Sequence, residues 1–281
     1  MRRIPLVEGE SLSVYDFRCG AGPGDRPFAE RHERHSLSYV RRGTFGCRTE
    51  GRELELVPGA VMVGRPGQEY TATHEHHGCG DECLSVKLSP ALADAMTRGK
   101  ALWRVARVPP LPALMVLGEL VQAAAAGRAS VGVDEAAVLF VARFARVSSE
   151  GKDVPLKTHA RERRRAVEAA LWLEENAAAP VGLEDAARQA GLSPYHFLRL
   201  FRRVVGATPH QYLLRVRLRR AAKLLAEETL PVTEVALDCG FADLSNFIRT
   251  FGRAAGVPPN QFRRTLKGER RIFQDRIAVA A

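Results

Sequence analysis

Seven residues in the C-terminal part of the chain occur twice in the same order, and this repeat constrains the fold more than any other feature. Ala187, Gly191, Phe197, Phe201, Gly206, Pro209 and Tyr212 are followed by Ala236, Gly240, Phe247, Phe251, Gly256, Pro259 and Phe262. The offset is 49 residues as far as the first glycine and 50 from the first Phe onward, so one residue is inserted where the chain turns. Self-similarity at such a period means that one supersecondary unit is used twice.

Each copy carries the physical parts of a helix-turn-helix. A small Ala lets two helices approach closely, and a Gly four residues later takes the positive φ that ends the first helix. Ser193 and Asp243 stand where N-caps of the second helices belong, and Pro194 suits a first helical position. The Phe pairs at i and i+4 lie on one face and anchor the second helix to a core. At 100° per residue the opposite face of the first copy holds Tyr195, Arg199 and Arg202, with Leu198 at its flank. In the second copy Ser245, Arg249 and Gly252 face outward, flanked by Ile248. Such faces fit a DNA major groove, where Arg reads guanine and apolar groups meet thymine methyls. The first face is the more basic, because Gly252 stands where Arg202 does. Between the copies, Pro209 to about Glu228 reads as one long helix with a basic side of Arg215, Arg217, Arg219, Arg220 and Lys223. A rigid spacer of that kind sets two recognition helices about 34 Å apart, in successive major grooves.

Charge agrees with this reading. Of the net +10, residues 161–281 carry 21 Lys and Arg against 13 Asp and Glu, a balance of +8, whereas residues 1–160 carry 21 against 19. A basic half beside a near-neutral one is the electrostatic outline of a nucleic-acid binder with a second function. No run is apolar for the roughly 18 residues of a membrane span, and Met1-Arg2-Arg3-Ile4-Pro5 begins no secretory signal, so the expected address is the cytoplasm. Five scattered cysteines do not form a disulfide scaffold.

The chain length implies about two domains. From Leu12 to about Leu88, short alternating runs separated by Gly43, Gly51, Pro58-Gly59 and Pro66-Gly67 predict a small β-barrel or sandwich. Leu111–Ala126 and Val133–Val147 read as helices with apolar faces suited to dimerisation. Ser148 to Pro155 is polar and linker-like. The organisation is a sheet-rich domain at 1–150, a linker at 151–160, an all-helical domain at 161–266 with units at about 183–204 and 232–254, and a tail at 267–281.

The segments Ala187-Arg-Gln-Ala-Gly191-Leu-Ser-Pro-Tyr-His-Phe-Leu-Arg199-Leu-Phe201, Val235-Ala-Leu-Asp-Cys-Gly240-Phe-Ala-Asp-Leu-Ser-Asn-Phe247-Ile-Arg249-Thr-Phe251 and Gly256-Val-Pro-Pro259-Asn-Gln-Phe262-Arg-Arg264 resemble the AraC/XylS-type transcriptional regulators. The resemblance implies two three-helix lobes joined by a long helix on double-stranded promoter DNA. It places base contacts at Tyr195, Leu198 and Arg199 and at Leu244, Ser245 and Arg249, with His196, Arg202 and Asn246 on the same faces. Leu198 and Leu244 depart from relatives that carry a hydrogen-bonding residue there.

His35, Gly43, Val57-Pro58-Gly59 and Pro66-Gly67-Gln-Glu69 resemble the cupin-like sensor half of such regulators. That implies an N-terminal β-barrel with flanking helices that binds an effector and dimerises, so that RNA polymerase is recruited or repositioned. A metal-binding cupin would place a histidine near Tyr70, and none stands there. The expected effector is a small molecule, a metal or a redox signal. His74, His76, Cys79 and Cys83, within a run of ten residues, offer the four ligands a zinc or copper site needs, with His32, His35, Cys19 and Cys47 on neighbouring strands. A solvated polar hairpin is the competing account of the same residues.

Two other functions agree less well with the sequence. A metal-dependent cupin oxygenase with a DNA-binding appendage fits poorly, because His74-Glu-His76-His77 lacks the cupin spacing and a tandem repeat serves no such chemistry. A passive nucleoid-coating protein needs no sensor half. No nucleotide loop, nucleophile elbow or paired catalytic carboxylate is present, so the chain reads as a regulator and not an enzyme.

Overall fold

The computed structural model describes residues 1–75, 80–98, 101–148, 158–227 and 229–267. As far as Leu88 the chain is made of strands: β1 (Arg2–Val7), β2 (Leu12–Cys19), β3 (Phe28–Arg31), β4 (His35–Gly43), β5 (Phe45–Thr49), β6 (Arg52–Leu56), β7 (Val61–Gly64), β8 (Glu69–Thr73) and β9 (Asp81–Leu88). After helix α1 (Pro90–Thr97) and one 3₁₀ turn, the short β10 (Arg107–Val108) closes this part. All pairings are antiparallel, in a six-stranded sheet ordered β1-β2-β9-β4-β7-β10 and a four-stranded sheet ordered β3-β8-β5-β6. The large sheet is covered on both faces. Along β4, Leu37 and Tyr39 point toward helices while Ser36 and Ser38 line a cavity shared with the small sheet. Along β9, Leu84 and Val86 face the helices, and Asp81, Cys83 and Ser85 the cavity, as the two-residue period requires.

The closed barrel expected from the resemblance is not what the described ladders form. They make two separate sheets packed face to face. The edge strands explain why: β10 has two residues and β3 four, and Pro5 on β1 has no N–H to donate across a seam.

Two helices lie against the large sheet, α2 (Pro112–Ala125) and α3 (Val133–Val147). The C-terminal half is helical: α4 (Ala160–Glu175), α5 (Leu183–Gln189), α6 (Pro194–Val205), α7 (Pro209–Glu227), α8 (Val232–Asp238), α9 (Leu244–Ala255) and α10 (Pro259–Leu266). Among the described residues no strand follows Val108, and no helix is long and apolar enough to cross a membrane.

The two halves share one contiguous cluster of buried apolar side chains. It runs from Val14 and Tyr39 through Leu117 and Val121 of α2 to Phe201, Phe251 and Leu266. Helix α2 packs on α3 on one side and on α7 on another, which buries Leu114, Met115, Val116, Leu117, Leu120 and Val121. The apolar faces of α2 and α3 were expected to meet a second copy of the chain. They are instead occupied from within, by α7, by the large sheet and by each other. Seven nearly all-apolar positions per two turns cannot all face one partner, which is why such a helix goes to the centre.

Candidate nucleic-acid interface

The repeat becomes two lobes with the same order of elements. In the first, α5 leads through Gly191 (φ +62°) into α6, and in the second α8 leads through Gly240 (φ +83°) into α9. Both glycines sit in the left-handed region that other L-residues avoid. Ala187 and Ala236 are buried where the paired helices cross. The inserted residue lies in the second turn, which runs from Cys239 to Asp243 and buries Phe241 against Phe247, ring centroids 5.0 Å apart. Cys239 is a buried packing thiol that burial pushes up to about 12.

Each second helix is anchored by its aromatic pair. Phe197 meets Phe201 at 5.4 Å and Phe201 meets Tyr212 at 5.7 Å; Phe247 meets Phe251 at 5.6 Å and Phe251 meets Phe262 at 5.4 Å. With these rings inside, the opposite faces are open to solvent. On α6, Tyr195 is 64% exposed and His196, Arg199 and Arg202 are exposed beside it, while Leu198 is half-buried. Arg199 donates to the Tyr195 hydroxyl at 3.4 Å and lies over its ring, and the His196 Nδ1 is 2.9 Å from Ser193 Oγ. On α9, Leu244, Ser245, Asn246, Ile248 and Arg249 are exposed, and Arg249 donates to Asn246 Oδ1 at 3.2 Å. Arg203 and Arg253, one step around each helix, are exposed as well. The wheel left them out, although they share a repeat position and the helix-ending arginine pattern marks them.

What sequence reading missed is how the N-terminal half holds these helices. Arg107 donates to the Val204 carbonyl at 2.7 Å, and Arg143 to the Ala254 carbonyl at 3.2 Å. The two carbonyls are the same position of the repeat, each in the last turn, where helical C=O groups lack partners and a cation complements the dipole. Nothing in local pattern links residues so far apart in sequence.

The long helix α7 also differs from expectation, because its arginines are not a solvated basic side. Arg215 donates to the Pro110 carbonyl, Arg217 to the Ala177 and Ala179 carbonyls, and Arg219 is paired with Glu174 and, at 3.9 Å, with Glu119. Burial raises the carboxyl pKa values of Glu119 and Glu174, and Arg219 pulls them back. Only Arg220 and Lys223 remain exposed. Arg215 and Arg219 meet partners at or on α2, whereas Arg217 and again Arg219 meet the end of α4 and the residues after it, so guanidinium groups buried on two sides of α7 are satisfied by carbonyls and carboxylates.

In the sheet-rich half, a cavity of about 90 Å³ between the sheets is lined by Ser36, Ser38, Ser85, His32, Tyr70 and His74 among others. Burial pushes His32 down to about 4, aided by Lys87, and its ring stacks on Tyr70 at 4.7 Å. Of the four expected metal ligands, His76 and Cys79 lie outside the described residues. His74 and Cys83 come together with Cys19 and Asp81, while Cys47 is buried in the small-sheet core and His35 packs on Trp103 at 4.6 Å. Among the described residues, that group of Cys19, His74 and Asp81 has ligand atoms within 4.8 Å of one another.

A helix-turn-helix domain family matches residues 186–265. The "probable transcriptional regulator LumQ" of Photobacterium leiognathi is 35% identical over 91 residues, which cover 32% of this chain and 37% of LumQ. The multiple antibiotic resistance protein MarA of Escherichia coli is 32% identical over 103 residues, 36% of this chain and 81% of MarA. A solved transcriptional regulator with an AraC-type DNA-binding domain, from Chromobacterium violaceum, aligns at 28% identity over 40% of this chain and 99% of its own, with a TM-score of 0.37. Since the matched segment is the tandem lobe itself and takes in four-fifths of MarA, the chain belongs to the AraC-type regulators and is a DNA-binding regulator of transcription.

Proposed function

We propose that α6 and α9 enter successive major grooves of promoter DNA. Tyr195, His196, Leu198, Arg199 and Arg202 face the bases and phosphates of one half-site, and Leu244, Ser245, Asn246 and Arg249 those of the other. The observation that carries this is the pair of open faces set opposite two buried Phe pairs at equivalent repeat positions. The cupin-like N-terminal half receives the signal, a small molecule, a metal or a redox change. Its contacts with α7 and with the ends of α6 and α9 pass a change in that half to the spacing of the two reading helices. The regulator acts as a homodimer in the cytoplasm and recruits or repositions RNA polymerase at the promoters it occupies.

Selection of bound fragments from random duplex DNA by the full chain, followed by footprinting, tests this. The expected result is one sequence motif with two protected segments a helical turn apart. Uniform affinity for all fragments would overturn it.

A further inference from the structure

The end of β2, the residue that follows β8 and the start of β9 bring four metal-ligating side chains to one place at the edge of the inter-sheet cavity. The β2–β9 register pairs Cys19 with Asp81, so their side chains stand side by side on the cavity face, and Cys83, two residues along, shares that face. His74 arrives from the small sheet. Its Nε2 is 2.8 Å from Asp81 Oδ1, and the Cys83 thiol is 3.4 Å from Asp81 Oδ2. All four residues are buried or nearly so, and all line the cavity.

We propose that Cys19, His74, Asp81 and Cys83 form a binding site for one borderline-soft divalent cation of the zinc class. Bonds of about 2.0–2.3 Å in a tetrahedron set ligand atoms roughly 3.3–3.8 Å apart. The Cys19, His74 and Asp81 atoms already lie within 4.8 Å of one another, and the Cys83 sulfur, 3.4 Å from Asp81 Oδ2, has to swing toward that group to complete the shell. Two sulfurs and an imidazole exclude magnesium and calcium, which take oxygen ligands. The backbone beneath the site is fixed by close packing. Gly80 has φ +66°, and a Cβ there would meet the Cys19 carbonyl oxygen at 1.8 Å; a Cβ on Gly43 would meet the Gly80 oxygen at 1.9 Å. The His74 ring lies between Phe28 at 5.9 Å and Phe45 at 6.3 Å, which keeps bulk water from the imidazole.

The cavity beside this cluster has about 90 Å³ of water-accessible space, enough for an ion and a few waters. The proposal deepens the sensing role given above and rests on it for its consequence, that an ion joining the two sheets stiffens the half that grips α6 and α9.

The test uses the full chain, purified without an affinity tag, stripped with chelator under reducing conditions and titrated with cobalt(II) as the spectroscopic stand-in for zinc. One equivalent per chain is expected, with thiolate-to-cobalt charge transfer and the strong visible bands of a tetrahedral ion. Cys19→Ser, Cys83→Ser and His74→Ala are each expected to weaken uptake tenfold or more, and Cys47→Ser to leave it unchanged. Absence of a charge-transfer band in the wild-type chain overturns the site whatever the variants do. Uptake that falls with Cys79→Ser and survives Cys19→Ser also overturns it. DNA affinity is followed on the wild-type chain: no metal uptake with sequence-specific DNA binding kept overturns the metal site alone, and uptake with no sequence-specific DNA binding overturns the proposed DNA reading alone.

Discussion

The two lobes agree inside and differ outside. Phe197, Phe201 and Tyr212 are matched by Phe247, Phe251 and Phe262, all at most 1% exposed, and the last turn of each reading helix is gripped by an arginine of the N-terminal half. The exposed faces have diverged. Helix α6 shows Tyr195, His196, Arg199 and Arg202, whereas α9 shows Leu244, Ile248 and Arg249, with Gly252 in place of Arg202. Packing density tolerates little change in the core, while a solvent-facing position is free to follow the ligand. A duplicated unit of this kind keeps one scaffold beneath two different surfaces: the first is the more basic, and the second sets Leu244 and Ile248 beside Ser245, Asn246 and Arg249.

If the interiors are equivalent, emptying them will cost the same. Phe201→Ala and Phe251→Ala are each expected to lower the unfolding free energy by about 3–5 kcal/mol. Urea titration of the full chain checks this, and a loss below about 1 kcal/mol for either would show that its lobe is held by other contacts.

The outward faces come next in size. Arg199→Ala and Arg249→Ala occupy the same repeat position and are each expected to weaken binding to the selected DNA by about 1–3 kcal/mol, with a smaller loss on scrambled DNA. Titrations on both duplexes separate the cases. Equal losses on the two would mean that the arginines touch only phosphate, and a loss for one lobe alone would break the symmetry of reading.

The lobes were legible in the sequence because everything that specifies them is local. Alternation of Phe at i and i+4, the glycine at the turn and the cap residue all act within one or two helical turns, so Leu183–Val205 and Val232–Ala255 can be read from their own residues. The relation between the halves was not. Arg107 reaches Val204 and Arg143 reaches Ala254 across about a hundred residues of chain, and the arginines of α7 look solvent-directed on a wheel that omits α2. The cation site proposed above shows the same limit. Spacing along the chain pointed to His74, His76, Cys79 and Cys83 with Cys19 only as a candidate on a neighbouring strand, and it takes the β2–β9 register to set Cys19 beside Asp81. Strand count and turn spacing leave barrel and sandwich open, because both place short strands between tight turns and differ only in whether the ladder closes; the barrel came from the resemblance, and the described ladders form two separate sheets.

Gly252 offers a way to convert one face toward the other. Its φ is helical and a Cβ there would meet nothing within 4 Å, so Gly252→Arg is accommodated without strain. Removing a mid-helix glycine is expected to stabilise α9 by about 1 kcal/mol. The new charge, equivalent to Arg202, is expected to steepen the fall of log K with log salt by about 0.9, one phosphate's worth. Affinity measured across a salt series decides. An unchanged slope would place residue 252 away from the DNA backbone and leave the inequality of the faces without a binding consequence.

The smallest difference concerns how the two reading helices begin. Asp243 accepts hydrogen bonds from the backbone N–H groups of Ser245 and Asn246, both at 3.0 Å, so its carboxylate satisfies two of the donors that a helix start leaves open. Ser193 occupies the same cap position with the same extended backbone, yet its hydroxyl is engaged with His196 and makes no cap bond. Pro194 compensates in part, since it presets the helical φ and removes one N–H that would need a partner. Asp243→Ala is therefore expected to cost on the order of 1 kcal/mol, and Ser193→Ala only a few tenths. Because the carboxylate also complements the positive end of α9, the Asp243 effect should shrink as its charge is screened by salt, whereas the Ser193 effect should not. Urea unfolding at low and high salt measures both, and equal, salt-independent losses would mean that the two helices start in the same way despite their different caps.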